Sequence, residues 1–182
     1  MSALPVSEPR QRFLDAAWSI GARLCRDAIW DGARCNWLGD SMELHGGEWK
    51  VAHKSFGPDL YSGTSGIALF LARLDALRPD PLVAKTARGA IGQALSRAGD
   101  IPPRHRHALY SGWLGLAIAA YAFDDLKNEA FRLIDEQLGH DLEPMSLDVI
   151  SGAAGAILGL LAFGDRYLDE ARRMGEHLLA HA

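Results

Sequence analysis

The sequence predicts an all-α fold built from repeated helical hairpins, and two observations carry this prediction. The first is a seven-residue motif that occurs three times, at residues 60–66, 109–115 and 149–155. It begins with Leu or Val, continues with Tyr or Ile, and ends in Ser-Gly-x-x-Gly; it is called the Ser-Gly motif below. Its first glycines are 49 and 40 residues apart, a period typical of helical repeats. The second observation is that each motif opens an apolar helix pattern followed by an amphipathic one, which indicates an inner and an outer helix layer.

The first 60 residues precede the repeats. Apolar residues at helical spacing predict an amphipathic helix over about residues 10–29. The residues that define its apolar face are Phe13, Ala16, Ala17, Ile20, Leu24 and Ala28. Residues 30–60 are expected to be irregular, apart from a short hairpin with strands at 42–44 and 48–51 around His45-Gly46-Gly47.

Three helical hairpins are predicted to follow. Their helices span residues 63–77 and 82–95, 112–123 and 126–138, and 152–163 and 165–179. We therefore expect one domain over residues 1–182, with the helix and irregular segment in 1–60 and the three repeats in 61–182.

The composition of the Ser-Gly motif suggests what it does in the fold. Its serine is expected to cap the helix by accepting a hydrogen bond from a backbone N–H of the first turn. Each glycine within a helix costs about 0.5–1 kcal/mol relative to alanine. Because the motif accepts this cost in three copies, we expect another part of the chain to approach the glycines closely.

Bulk composition excludes several classes of function. Apolar residues make up 48% and charged residues 23% of the 182 residues, which is ordinary for a globular protein. The net charge is −4 and no Lys/Arg run stands out, so a nucleic-acid partner is not expected. No apolar stretch approaches the roughly 20 residues that a membrane span needs.

Cysteine content and the N-terminal segment suggest a compartment. Cys25 and Cys35 are too few for a disulfide framework, and their spacing is not that of a zinc knuckle, so both are predicted to be core residues or free thiols. Residues 1–12 are polar and lack the apolar centre of a signal peptide. We therefore expect a cytoplasmic protein.

At the motifs, the sequence resembles the lanthionine synthetase C-like family. The segments that carry the resemblance are Asp59-Leu60-Tyr61-Ser62-Gly63-Thr64-Ser65-Gly66-Ile67-Ala68-Leu69-Phe70-Leu71-Ala72 and Asp148-Val149-Ile150-Ser151-Gly152-Ala153-Ala154-Gly155. The spacing of the second and third motifs and the Cys35-Asn36-Trp37 stretch before the first also match that family. The resemblance extends over nearly the whole chain.

The resemblance implies a fold, an activity and a cofactor. The fold is an α/α toroid of helical hairpins. The activity is the addition of peptide cysteine thiols to dehydroalanine or dehydrobutyrine, which forms thioether rings in lanthipeptides. In the complete family fold a zinc ion binds the thiol and presents it as a thiolate. The attack leaves an enolate that must then be protonated.

The resemblance transfers one catalytic candidate to this chain and no metal ligand. Asp148 matches the family's aspartate before the third glycine helix, which is implicated in proton handling. From the residues alone, Asp148 is better explained as a carboxylate favoured by a helix N-terminus, and only the resemblance gives the catalytic role equal weight. The family's Cys-Gly and Cys-His-Gly zinc phrases do not occur in the sequence, and His45-Gly46 lies before the repeats. We therefore expect this chain to bind no zinc and to be inactive alone.

Expectations about partners follow from the same resemblance. The substrate would be a precursor peptide. The chain holds about half of a toroid, which we interpret as a fragment, a truncated gene product or a deliberately shortened chain. The missing C-terminal half, a dehydratase or a second copy would then be further partners, because a half-ring exposes apolar faces.

Two other functions remain open at this point. A non-catalytic half-toroid scaffold would pair through its open ends. A carbohydrate-active α/α barrel would need paired carboxylates, for which Asp59 and Asp148 occupy equivalent positions in two repeats. His105 and His107 lack a third metal ligand and are expected in a solvated loop. His140 is expected at a helix end, where the helix dipole favours it.

Overall fold

The structure, a computed structural model, describes residues 8–138 and 145–181. His140 and residues 1–7 lie outside the described residues. The described part is mostly helical and contains seven α-helices and two β-hairpins. In chain order the elements are α1 (Glu8–Asp27), β1 (Ile29–Asp31), β2 (Arg34–Asn36), β3 (Leu38–His45), β4 (Glu48–Ser55), α2 (Thr64–Leu77), α3 (Pro81–Ser96), α4 (Trp113–Tyr121), α5 (Lys127–Leu138), α6 (Ala153–Leu161) and α7 (Leu168–His181). None of the described helices is long and apolar enough to cross a membrane.

Helix α1 lies where the sequence predicts it, but part of its predicted apolar face is wrong. Phe13 and Ile20 are 78% and 47% exposed, whereas Gly21 and Cys25 are buried. A Cβ at Gly21 would lie 2.3 Å from Leu74 Cδ2 of α2, so the helix contact is centred on this glycine. Apolar periodicity overlooks such a contact, because a glycine does not count toward an apolar face.

The segment between α1 and α2 forms two hairpins, which corrects the expectation of an irregular segment and of a purely helical fold. The predicted turn at Gly46-Gly47 is confirmed, with φ of 60° and 87°, and the paired strands β3 and β4 are longer than predicted. Two consecutive positive φ angles are what a two-residue hairpin turn requires. The β1–β2 hairpin was not predicted, and it turns at Gly32, where φ is 59°.

The three predicted helical hairpins are confirmed as the pairs α2/α3, α4/α5 and α6/α7. In each pair the first helix is apolar and the second is amphipathic, with one buried face. The first helices also contact one another in order, α2 with α4 and α4 with α6. They form an inner row, and their partners α3, α5 and α7 form the outer layer.

Candidate functional site

The inner helices begin in the same way in all three repeats. Each starts one residue after the first glycine of its Ser-Gly motif, and that glycine is the N-cap with an extended backbone. The first helical N–H donates to a backbone carbonyl seven residues earlier, in the pairs Thr64 to Gly57, Trp113 to Arg106, and Ala153 to Ser146, at 2.8–2.9 Å. The prediction that the serine caps the helix is therefore wrong. The glycine occupies the N-cap position, and a loop carbonyl accepts the hydrogen bond that the serine was expected to accept.

The first glycine is required because this capping loop folds back against it. A Cβ added at Gly63 would lie 2.4 Å from Gly57 O, and a Cβ added at Gly112 would lie 2.2 Å from His105 O. These atoms belong to the backbone and cannot move aside as a flexible side chain can. The predicted close approach to the glycines is thus confirmed, with the loop before each inner helix as the approaching segment.

The second glycine receives a leucine from the preceding repeat. A Cβ at Gly115 would lie 2.6 Å from Leu60 Cβ, and one at Gly155 would lie 3.3 Å from Leu109 Cβ. The aliphatic residue that opens one motif therefore packs on the glycine that closes the next motif. We call this pairing the leucine–glycine contact.

Backbone hydrogen bonds join the three motifs edge to edge. The N–H groups of Leu60 and Tyr61 donate to Tyr110 O at 3.1 and 3.0 Å, and Tyr110 N–H donates to Ile150 O at 3.2 Å. The rings of Tyr61 and Tyr110 also meet edge to face, with 6.3 Å between their centroids. The motifs thus form one continuous rim along the N-terminal ends of α2, α4 and α6.

The catalytic candidate Asp148 lies on this rim, exposed, in the loop before α6. Its Oδ1 accepts from the backbone N–H groups of Ile150 and Ser151 at 2.6 and 2.8 Å, and its Oδ2 accepts from the Ser146 hydroxyl. The Ser146 hydroxyl, followed by the Ser151 N–H, holds the pKa of the Asp148 carboxyl below its usual value. Asp148 is therefore a carboxylate at neutral pH that organises its own loop.

Asp59 takes the same position in the first repeat. Its Oδ1 accepts from the backbone N–H of Ser62 at 2.8 Å, as that of Asp148 does from Ser151. The loop of the second repeat, which has Ala108 at this position, separates the two aspartates. Its Tyr110 hydrogen-bonds to the first motif on one side and to the third motif on the other. Each carboxylate is thus bonded within its own loop, and this arrangement gives no support to a carbohydrate-active carboxylate pair.

An apolar groove of about 410 Å³ opens at the first repeat, beside Gly66. It is called the Gly66 groove below. Leu24, Phe56, Leu60, Tyr61, Ser62, Gly63, Gly66, Ile67 and Phe70 line it. Sequence patterns do not reveal this groove, because α1, Phe56 just after β4, and α2 contribute to it from distant parts of the chain.

The two cysteines are not part of a cluster of metal ligands among the described residues. Both are buried free thiols, and the Cys35 thiol donates to Thr86 O at 3.5 Å. Burial, and secondarily the proximity of Cys25, raises the pKa of the Cys35 thiol to about 12, which disfavours the thiolate that zinc would need. Across residues 8–138 and 145–181, no three His, Cys, Asp or Glu side chains come together to hold a metal ion. The described residues therefore do not fit a zinc site.

Among the histidines of residues 8–138 and 145–181, no three come together as a cluster. His45 is exposed at the end of β3. His107 is only 6% exposed, so the prediction that it lies in a solvated loop is wrong. The reason is that its loop folds under the start of α4, where Arg106 O accepts from the Trp113 N–H.

A second feature that sequence reasoning missed lies at the opposite ends of the inner helices. Four aromatic rings pack there with 5.1–6.1 Å between the centroids of contacting rings: Tyr121, Phe131, Phe163 and Tyr167. The Tyr167 hydroxyl donates to Asp135 Oδ1 at 2.8 Å, and burial raises the pKa of Tyr167 to about 12. This cluster joins the second repeat to the third.

Comparison with known proteins assigns the repeats to a family. The sequence model of the family described as lanthionine synthetase C-like protein matches residues 54–181. No curated protein matches the chain. The matched range begins at the end of β4 and contains all three Ser-Gly motifs and all three helical hairpins, which is well over half of the chain. The chain therefore belongs to the lanthionine synthetase C-like family.

Proposed function

We propose that this chain is a lanthionine-cyclase-like domain of lanthipeptide biosynthesis, acting in the cytoplasm on a dehydrated precursor peptide. The family match over residues 54–181 is the observation that carries this proposal. The two buried, free cysteines agree with a reducing compartment.

The proposed architecture is an arc of an α/α toroid. Its support is that α2, α4 and α6 contact one another in order and that the leucine–glycine contact recurs between successive repeats. Repetition of one contact between neighbours is what builds curved helical arrays. The rim of motifs then lies at one end of the arc, where a peptide has access to the inner helices.

The proposed reaction joins a cysteine of the peptide to a dehydrated residue of the same peptide. The thiol loses its proton, the sulfur forms a bond to Cβ of dehydroalanine or dehydrobutyrine, and the π electrons of the alkene move to give an enolate. Protonation at Cα completes the thioether. Asp148 is ionised at neutral pH, so its role would be to accept a hydrogen bond at the rim and orient a reacting group rather than to donate the final proton.

Zinc is the metal that the complete family fold is expected to use. The described residues do not fit a zinc site, and the sequence contains neither a Cys-Gly nor a Cys-His-Gly phrase. We therefore propose that this chain binds the precursor peptide but does not form rings alone. A dehydratase and a part of the family fold that carries the zinc ligands remain proposed partners.

The test combines peptide binding with a thiol count. A dehydrated precursor peptide that carries a fluorophore is titrated with the purified chain, and anisotropy reports binding. Because ring closure leaves the mass unchanged, free cysteine thiols are counted by alkylation and mass spectrometry after incubation with zinc. We expect saturable binding and no loss of thiols relative to peptide alone. Absence of binding would contradict the substrate assignment, and loss of thiols would contradict inactivity.

A further inference from the structure

The Gly66 groove is an unfilled copy of the leucine–glycine contact. Gly115 is covered by Leu60 and Gly155 by Leu109, each from the preceding repeat. The three atoms nearest to an added Cβ at Gly66 are backbone atoms of Leu60, which belongs to the same motif, so no side chain of another described segment comes closer than 3.9 Å. The first repeat therefore presents the receiving half of this contact, and the groove opens beside it.

The third repeat presents the inserting half. Val149 is the equivalent of Leu60 and Leu109, but it is 46% exposed, whereas Leu109 is 7% exposed. Tyr61 and Tyr110 each donate their backbone N–H to the next motif, whereas Ile150 donates to the Asp148 carboxylate of its own loop. Leu158 and Leu161 of α6 are also exposed, by 57% and 46%. The described part of the third repeat thus carries an aliphatic side chain without a glycine to receive it.

We propose that a second copy of this chain docks head to tail, with Val149 of one copy in the Gly66 groove of the other. The contact continues an interface that the fold already makes twice, and both of its halves are apolar. In this arrangement Ile150 lies beside Tyr61 of the second copy, as Tyr110 lies beside Ile150 within one chain. Because the two surfaces differ, the contact is heterologous and joins copies into a closed ring or an open chain.

This proposal depends on the repeat geometry and not on thioether chemistry. It would stand if the chain bound no precursor peptide. Its occupant is defined by the two internal examples, which require an aliphatic side chain at the start of a motif followed by an extended segment that can hydrogen-bond at the rim. Val149 meets the first requirement, and to meet the second the Ile150 N–H would turn from the Asp148 carboxylate to Tyr61 O of the second copy.

Cross-linking between two different variants tests the direction of docking. Tyr61→Cys and Ile150→Cys each place a thiol at an exposed position, while the native cysteines are buried. A short bismaleimide should join the chains when the two variants are mixed, and should join few chains in either variant alone. The proposal fails if mixing gives no cross-linked species beyond those of the separate samples.

Sedimentation velocity tests the inserting side chain. The 182-residue chain should sediment as a species larger than a monomer that dissociates on dilution. Val149→Asp should weaken association about tenfold or more, since it would bring a charge into an apolar groove.

Val51→Asp is the matched control, because Val51 is 65% exposed on strand β4, and it should leave association unchanged. A wild-type chain that stays monomeric at every concentration, as when another segment of the same polypeptide fills the groove, would overturn the proposal. Equal effects of the two variants would also overturn it.

Discussion

Leu60 of the first repeat covers Gly115 of the second so closely that a Cβ at position 115 would lie 2.6 Å from Leu60 Cβ. The same hypothetical Cβ would lie 2.1 Å from Leu109 O, which belongs to the motif of Gly115 itself. One glycine therefore allows both the start of α4 and the contact between repeats. The Ser-Gly motif recurs because each repeat needs this space.

Gly115→Ala should destabilise the chain by about 1–3 kcal/mol, because the carbonyl of Leu109 cannot move away from an added methyl group without shifting the motif. Urea unfolding followed by circular dichroism measures this change. Gly175→Ala in α7 is the matched control, since nothing lies within 4 Å of the added Cβ there. It should stabilise the chain by about 0.5–1 kcal/mol, as alanine favours a helix interior over glycine. Similar losses for both variants would contradict the close-approach explanation.

Leu109→Ala should cost about 2–5 kcal/mol, because Leu109 is buried against Gly155 and Gly159 and its truncation leaves a cavity between repeats. Leu179→Ala removes the same atoms from a side chain that is 85% exposed, so its effect should stay within about 0.5 kcal/mol. Both values come from the same urea titration. If the two truncations cost equally, Leu109 does not join the repeats as described.

The Cys35 thiol should make stability fall at alkaline pH. Its folded pKa is raised to about 12 by burial, whereas an unfolded cysteine titrates near a pKa of roughly 8.5. The folded chain therefore retains a proton that the unfolded chain releases, so this contribution is complete below about pH 8.5 and is lost as pH rises toward 12. The free energy of unfolding of wild type should accordingly fall with pH more steeply than that of Cys35→Ala. Parallel curves for the two proteins would count against a buried, protonated thiol.

Metal analysis of the purified chain should find no stoichiometric zinc, because the described residues bring together no group of three suitable ligands. Added zinc followed by chelation should leave the melting temperature unchanged. One tightly held zinc per chain, lost in Cys25→Ala or Cys35→Ala, would overturn this prediction and require a different placement of the two thiols.

Asp148→Asn should weaken binding of the dehydrated precursor peptide about threefold to tenfold, or ~1 kcal/mol, if the carboxylate accepts a hydrogen bond from the peptide at the exposed rim. The asparagine oxygen can still accept from Ile150 and Ser151, so the loop should persist. Asp165→Asn, an exposed aspartate in the turn before α7, is the control in the same anisotropy titration. Equal affinities of the two variants would remove Asp148 from the proposed site.

The helical hairpins and their order were predictable from sequence, because apolar periodicity and the recurring motif report on local structure and on what each helix buries. The residues at which the inner helices start were less predictable. The predicted starts were residues 63, 112 and 152, and each inner helix begins one residue later. The reason is that the carbonyl of Gly57, Arg106 or Ser146, and not the serine, accepts from the first helical N–H. A backbone carbonyl leaves no signature in side-chain patterns.

Features that depend on tertiary placement were not predictable in the same way. The packed face of α1 is set by Gly21 against Leu74, and apolar spacing alone favours Phe13 and Ile20 instead. The three-residue strands of the β1–β2 hairpin are too short for an alternating pattern to be recognised. The resemblance makes Asp148 a candidate site residue, but side-chain patterns do not predict its hydrogen bonds to Ser146 and Ser151.

A crystal structure of the chain tests the central claim most directly, which is that the three Ser-Gly motifs are equivalent starts of neighbouring inner helices. We predict that residues 57–66, 106–115 and 146–155 superimpose, with Leu60 on Gly115, Leu109 on Gly155 and the N–H of Tyr110 bonded to Ile150 O. Motifs that lie apart as unrelated surface loops, or that form strands, would contradict the repeat and the cyclase-like proposal built on it.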